Sequence, residues 1–221
     1  MMTDYRSNYE AWLRAPQLSD EERAELKSIE SDEDEIQQRF SGPMTFGTGG
    51  LREKMKTGLN AMNRHTVAHA TQGVAALILR EGRAADGVVV GCDSRNNSRL
   101  FAETAACVLA ANGIAVWLFD DLRPTPELSF ALRELHCVAG INITASHNPK
   151  EYNGYKAYWD DGGQLPPEHA DVVAAEIAKL DVFRDVKLTD YQAALQAGKI
   201  RLIGREMDER YLAAVQAQAV N

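Results

Sequence analysis

Along this chain the spacing of apolar residues changes, and each change marks a different kind of element. Over the first forty residues apolar positions recur at helical intervals among many charges. Tyr5, Tyr9, Trp12 and Leu13 share one helical face, and Pro16 stops the run. Ser19 followed by Glu22 makes a capping-box pattern ahead of "EERAELKSI", and a third helix is expected from Ser31 through "DEDEIQQRF". The stretch "SGPMTFGTGGLREKMKTGLNAMN" is Gly-rich and aperiodic, so it reads as irregular. Helical spacing then returns, with Val67, Ala70, Val74 and Leu77 on one face until Gly82 ends it.

Beyond Gly82 the pattern becomes short, solid apolar runs. "GVVVG" at 87 to 91, β-branched and bounded by glycines, predicts a buried parallel strand. "GIAVWLF", "CVAGINIT" and "YKAYW" predict three more strands. Helices are expected from Arg99 to Ala111 and over "RPTPELSFALREL", where Thr125 is placed to cap and Pro126 suits the first helical position. Strands alternating with helices of about a dozen residues indicate βαβ units and a mostly parallel sheet. Ligands of such sheets gather at the carboxyl ends of the strands. The polar loops "DSRNNS" and "ASHNPKEYNG", each following a strand, are therefore expected at one common edge. Further on, "LPPEHADVVAAEIAKL" predicts a helix, "KIRLIG" a strand and "REMDERYLAAVQAQAV" an amphipathic helix. This last pair cannot close a core of its own, so a second domain is expected to begin near residue 200 and to be cut short.

Composition narrows the partners. Lys plus Arg number 24 against 32 Asp plus Glu, a net charge of -8. That balance argues against nucleic acid, whose binding rests on basic surface. It leaves room for an anionic small molecule where local cations or a metal offset the field. Cys92, Cys107 and Cys137 show no metal-ligand spacing and suit buried thiols in a reducing compartment. The start "MMTDYRSNYEAWLRAP" lacks the basic and apolar regions of a signal peptide, and no run reaches membrane-spanning length. A cytoplasmic location with no membrane partner is expected.

The candidate chemistry centres on Ser146. A serine hydroxyl is a poor nucleophile unless a base or cation activates it. Acyl transfer at a nucleophile elbow calls for G-x-S-x-G, and "TASHN" has neither glycine. Phosphoryl transfer fits the surroundings better. A phosphate on Ser146 would bring close to two negative charges, and His147, Asn148, Lys150 and Lys156 are near enough in sequence to supply donors. Taken alone, a Ser-His pair is an ordinary turn, and "FGTGG" is an ordinary glycine turn without the Lys-Ser end of a P-loop.

Taken together, these segments resemble a known family. "TASHNPKEYNGYKAY" resembles the phosphoserine loop of the α-D-phosphohexomutases, the phosphoglucomutase and phosphomannomutase family. The family pattern T-[AG]-S-H-N-P, then N-G-x-K, is met at Thr144, Ser146, His147, Asn148, Pro149, Asn153, Gly154 and Lys156. "FGTGGLR" at 46 to 52 is similar to the family's N-terminal loop, "GCDSRNNS" to its G-x-D-x-R-x-x-S segment, and "RPTPELSFAL" to its P-T-P helix start. The resemblance runs from about residue 5 to the end.

The resemblance implies a three-layer α/β/α domain with a mostly parallel mixed sheet, preceded by N-terminal helices. Residues 1 to 40 would be the helical extension, 41 to 195 the first domain with the phosphoserine loop, and 196 to 221 the start of a truncated second domain. It implies that phosphorylated Ser146 passes its phosphoryl group to a sugar monophosphate, and that the bisphosphate turns and returns the other phosphate, moving it between C1 and C6 of a hexose. In that scheme Ser146 is the carrier and, through its phosphate, a ligand of magnesium. Lys156 is the general acid/base, and His147 a supporting donor or proton handler. Arg52 contacts phosphate from the N-terminal loop, and Asn148 shapes the serine turn at the phosphate site. Arg95 either reaches the same phosphate edge or pairs with Asp93. Glucose 1,6-bisphosphate would be activator and intermediate; a hexose phosphate and the remaining domains of a longer enzyme would be the partners.

Two departures qualify what the resemblance implies. Glu53 stands where the family has glycine, and its carboxylate would repel a phosphate unless it points away or pairs with Lys54 or Lys56. The family's Asp-Gly-Asp-Gly-Asp-Arg type metal loop has no counterpart here, since "DDGGQL" at 160 to 165 reads as a turn between strands. The chain alone is therefore expected to be nearly inactive as a mutase. Three alternatives stay open: a phosphopentomutase, a glucose-1,6-bisphosphate synthase, or a non-catalytic phosphosugar-binding module.

Overall fold

The valine run that predicts a buried strand lies near the middle of a six-stranded sheet. In the computed structural model, which describes residues 5 to 220, that strand is β2 (Val88–Cys92), and all five of its residues are buried. Before it come α1 (Tyr5–Arg14), α2 (Asp20–Ser28), α3 (Glu33–Phe40), β1 (Leu51–Lys54) and α4 (Arg64–Arg80). After it come α5 (Ser98–Ala111), β3 (Val116–Phe119), α6 (Thr125–Glu134), β4 (Ala139–Ile143), β5 (Tyr152–Trp159), α7 (Pro167–Ile177), α8 (Tyr191–Gln196), β6 (Ile200–Ile203) and α9 (Arg205–Gln216). The strand order is β1-β5-β4-β2-β3-β6. The strands β4, β2, β3 and β6 run parallel, and β5 is antiparallel to both β4 and β1.

Helices cover both faces of the sheet, as solid strand runs require. On one side α4, α5 and α7 bury Val74, Leu77, Phe101 and Val173 against Val88, Val90, Ile141 and Tyr155. On the other, Leu128 and Leu132 of α6 and Met207 of α9 pack against Val89, Phe119 and Tyr158. The alternation of β5 follows from its place between two strands: Tyr155, Ala157 and Trp159 enter the first core, Tyr158 the second.

The N-terminal extension has its own small core of Tyr9, Trp12, Leu18, Leu26, Ile36 and Phe40, closed by Val182 and Phe183. The capping box at Ser19 and Glu22 is present. Buried Arg39 joins this extension to the main body. It donates to Glu35 at 2.7 Å and to the Thr57 carbonyl at 3.1 Å, while Thr57 donates in turn to Glu25, which also pairs with Arg39. The extension thus braces the chain just after β1.

Several expectations shift in detail. The segment read as irregular contains β1, a four-residue edge strand too short to show a period of its own. Pro124, not Thr125, is the N-cap of α6, and the Thr125 hydroxyl instead accepts from Asn142 Nδ2 at 2.8 Å. The segment from 160 to 165 is a turn, with Trp159 N–H donating to the Gly163 carbonyl at 3.0 Å. The stretch expected to open a second domain adds β6 beside β3 in the same sheet, and α9 packs on α6. Residues 1 to 4 of the expected extension, and Asn221, lie outside the described residues.

A carboxyl pair holds α9 to α6. Glu127 is buried in the first turn of α6, and its Oε1 has no hydrogen-bond partner among the described residues. Burial, then the adjoining Asp208 carboxylate, pushes Glu127 up from its ordinary 4.5 to about 7 against the pull of Arg123. Arg123 also donates to Asp208 and holds that carboxylate low. Between the two Glu127 values the folded chain keeps a proton that the unfolded chain releases. The stabilising contribution is therefore complete below the ordinary carboxyl value and is lost as pH rises through about 7. Glu127→Gln is expected to raise the thermal midpoint above neutrality and to flatten its decline over this range. A melting series across that interval checks it, and an unaltered slope would exclude Glu127 as the source.

Candidate functional site

Strand β4 delivers the serine loop to the carboxyl edge of the sheet. After Ile143, Thr144 N–H still pairs with the Gly154 carbonyl at 3.0 Å, so the loop leaves the sheet only at Ala145. Three local bonds then turn it. Ser146 N–H donates to Thr144 Oγ1 at 3.0 Å, Asn148 N–H to the Ala145 carbonyl at 3.1 Å, and Tyr152 N–H to the Pro149 carbonyl at 3.0 Å. Ser146 is left at φ 57, the left-handed region that costs an L-residue about 1 kcal/mol. Backbone held there gathers at functional sites. The Ser146 side chain is exposed, with Oγ 3.4 Å from His147 Nδ1.

The "DSRNNS" loop meets it, as expected. Asp93 Oδ1 accepts from Arg95 N–H and from Ser98 Oγ, both at 3.0 Å, closing the turn into α5. Asn153 of β5 donates to the Asn96 carbonyl and to Ser98 Oγ, both at 3.0 Å, so the two loops are tied across the strand ends. Between them lies a depression of about 330 Å³ lined by Asp93, Ser94, Asn96, Ser146, Asn148 and Lys150 around Arg95. Asn153 is a site-building residue to which residue order alone assigns no role; its place in the N-G-x-K motif was the signal available.

Two cations stand on one face of the sheet beside this loop. Arg52 of β1 lies opposite Gly154 of β5, and Lys156 follows two residues along, on the same side by strand alternation. Gly154 permits the approach. A Cβ there would sit 2.6 Å from the Thr144 carbonyl oxygen and 2.9 Å from that of Leu51, so only glycine lets three backbones close. Arg52 is exposed, and Lys156 is half-buried opposite Asn142 of β4. Neither makes a side-chain hydrogen bond or ion pair among the described residues. Two buried acceptors, Asn142 Oδ1 and Asn148 Oδ1, also lack donors there. Unpaired cations at one edge of an acidic protein offer an anion a local positive field.

The repulsion expected from Glu53 is relieved by alternation. Glu53 lies opposite Asn153, on the face away from Arg52 and Lys156, and its Oε1 accepts the Lys54 N–H at 2.9 Å. Lys56 pairs with Glu35 instead. Arg95 sits at the site with its guanidinium turned into the loop. Nη1 donates to the carbonyls of Pro149 and Tyr152, and Nη2 to those of Ser146 and Asn148. Nε lies 3.5 Å from Asp93 Oδ2. Of the two expectations for Arg95, the pairing with Asp93 is present, and its four terminal N–H groups are taken by loop carbonyls.

Among the described residues no group of three or more His, Cys, Asp or Glu side chains is arranged to hold a metal ion. No helix among them is long and apolar enough to cross a membrane. Cys92, Cys107 and Cys137 are all buried free thiols, and burial raises each of them.

Comparison with known proteins agrees with this geometry. The family model described as phosphoglucomutase/phosphomannomutase, alpha/beta/alpha domain I, matches residues 43 to 183, a range holding all six candidate residues. Phosphoglucomutase of Staphylococcus saprophyticus is 39% identical over 179 residues, covering 81% of this chain and 32% of that protein. Human phosphopentomutase is 40% identical over 167 residues, covering 72% of this chain and 27% of that one. A crystal structure from Thermus thermophilus, described as a putative phosphomannomutase, superposes with a TM-score of 0.67 at 28% identity, over 81% of this chain and 37% of that one. The chain spans about a third of the length of these relatives.

Proposed function

The chain belongs to the phosphoglucomutase/phosphomannomutase family, and from that premise we propose that it carries the phosphoserine part of a sugar-phosphate mutase, an isomerase, acting on a hexose phosphate. The observation that carries this reading is an exposed serine hydroxyl on a left-handed turn, at the sheet edge where Arg52 and Lys156 stand without carboxylate partners among the described residues.

The steps follow from these groups. In one direction a sugar hydroxyl oxygen attacks the phosphorus carried on Ser146. A new P–O bond to the sugar forms, the bond to Oγ breaks, Lys156 in its neutral amine form takes the hydroxyl proton, and Oγ regains a proton through His147. In the other, Oγ gives its proton to His147 as it attacks a phosphate of the bisphosphate, the bond from phosphorus to the sugar oxygen breaks, and that oxygen leaves with the proton from Lys156. Arg52 and Lys150 offset phosphate charge, and the side chain of Asn148, whose Oδ1 has no donor, lines the depression. Such transfers depend on positioning and charge neutralisation more than on covalent help. Magnesium, if bound, would be held in part by the Ser146 phosphate and would supply Lewis-acid neutralisation of the phosphoryl charge.

The test is phosphoryl uptake. After incubation with glucose 1,6-bisphosphate and magnesium, intact mass is expected to rise by one phosphoryl group, mapped by peptide digestion to Ser146. A label carried by another residue, with Ser146 unmodified, would sink the proposal. Ribose 1,5-bisphosphate serves as the competing donor, because relatives named phosphopentomutase match about as well as those named phosphoglucomutase. Faster uptake from the pentose donor would shift the substrate to a pentose phosphate.

A further inference from the structure

We propose that Arg95 is a positioning residue that sets the conformation of the serine loop, and hence where Ser146 Oγ stands, without touching the sugar phosphate. This rests on the reading of Ser146 as phosphoryl carrier. Four carbonyl oxygens of one loop converge on a single guanidinium: Ser146 at 2.8 Å, Asn148 at 2.7 Å, and Pro149 and Tyr152 each at 3.0 Å. A guanidinium has four terminal N–H groups in a planar fork, one for each of these oxygens. Its fifth, on Nε, faces Asp93 Oδ2 at 3.5 Å, and Asp93 also fixes the Arg95 backbone N–H at 3.0 Å. The side chain is only 13% exposed.

This arrangement matters because, apart from Met55 N–H donating to the Glu151 carbonyl at 2.8 Å, the loop is otherwise shaped mainly by local bonds. From Ala145 to Tyr152 the local backbone bonds are those of Ser146, Asn148 and Tyr152 N–H. The left-handed turn at Ser146 is a conformation that serine does not choose unaided, so surrounding contacts must impose it. The four bonds from Arg95 come from a residue more than fifty positions away and outnumber the local ones. Lysine, with three donors on one atom, cannot span the same oxygens. A side chain whose four terminal donors are engaged inside the loop, with Nε beside Asp93, has none turned to substrate. Loss of Arg95 should therefore misplace Oγ and leave sugar-phosphate affinity alone.

The test has two arms on the full chain. In the first, Arg95→Met and Arg95→Lys are compared with wild type for the rate of phosphoryl uptake at increasing glucose 1,6-bisphosphate. The limiting rate is expected to fall by about 100-fold in Arg95→Met and less in Arg95→Lys, the scale of a small misplacement of a reacting group. The half-saturating concentration should stay within about twofold. A raised half-saturating concentration with an unchanged limiting rate would make Arg95 a phosphate ligand and overturn the proposal. In the second arm, hydrogen exchange of the Ser146, Asn148 and Tyr152 amides is expected to quicken about tenfold or more in Arg95→Met, with Val90 and Ile141 in the core unchanged. Unchanged loop exchange would overturn the proposal whether or not the chain takes up phosphate. A label carried by a residue other than Ser146, with quickened exchange in the variant, would instead sink the phosphoryl-carrier reading and keep the clamp.

Discussion

Ser146→Ala is expected to abolish phosphoryl uptake from glucose 1,6-bisphosphate, down to the background of an unrelated protein. The substitution removes the one atom on which the proposed carrier depends. It removes little else: the side chain is exposed, its hydroxyl approaches only His147 among the described residues, at 3.4 Å, and the bond to Thr144 Oγ1 is donated by the backbone N–H, which alanine keeps. Stability should therefore change by no more than about 0.5 kcal/mol. Ser146→Gly sharpens the contrast, because glycine adopts φ 57 without cost. That variant should gain about 1 kcal/mol of stability while losing all uptake, the signature of a site held in strain for function. Intact mass and a thermal melt, measured on the same samples, check both halves. Label persisting in either variant would move the carrier to another residue.

Lys156→Met carries the second large effect, a fall in the rate of uptake of about 100-fold or more, the usual scale for a lost acid/base group. Methionine preserves the length and apolar stem of a half-buried side chain on β5, so the strand should remain in register between β4 and β1. The missing ammonium makes no ion pair among the described residues, so no carboxylate is orphaned by its removal. Circular dichroism and melting should match wild type, which separates a chemical loss from a folding loss. Near-normal uptake would take Lys156 out of proton transfer.

Much of the fold was legible because its signals are local. The valines of β2 announce a strand buried on both faces, Ser19 and Glu22 announce the start of α2, and Gly82 at φ 72 follows the last turn of α4. The serine loop was legible for the same reason: its residues follow one another in the chain. What escaped was short or depended on a neighbour. Strand β1 has four residues and exists because β5 pairs with it, and α8 has six. Thr125 looked like a cap and is an acceptor for Asn142, seventeen residues away. Glu53 threatened the phosphate site until pairing register put it on the far face.

Residue order by itself determined the alternation of strands and helices, the helical extension, and a serine, a histidine and two lysines close together near one strand end. Periodicity and capping act over a few residues, so one dimension is enough to read them. Only the tertiary structure decided that "DSRNNS" closes over the serine loop, that Arg95 spends its donors on four carbonyls, and that Arg52 and Lys156 share a face while Glu53 does not. Those facts rest on register between strands and on bonds spanning about fifty residues, and chain folding alone brings such partners together.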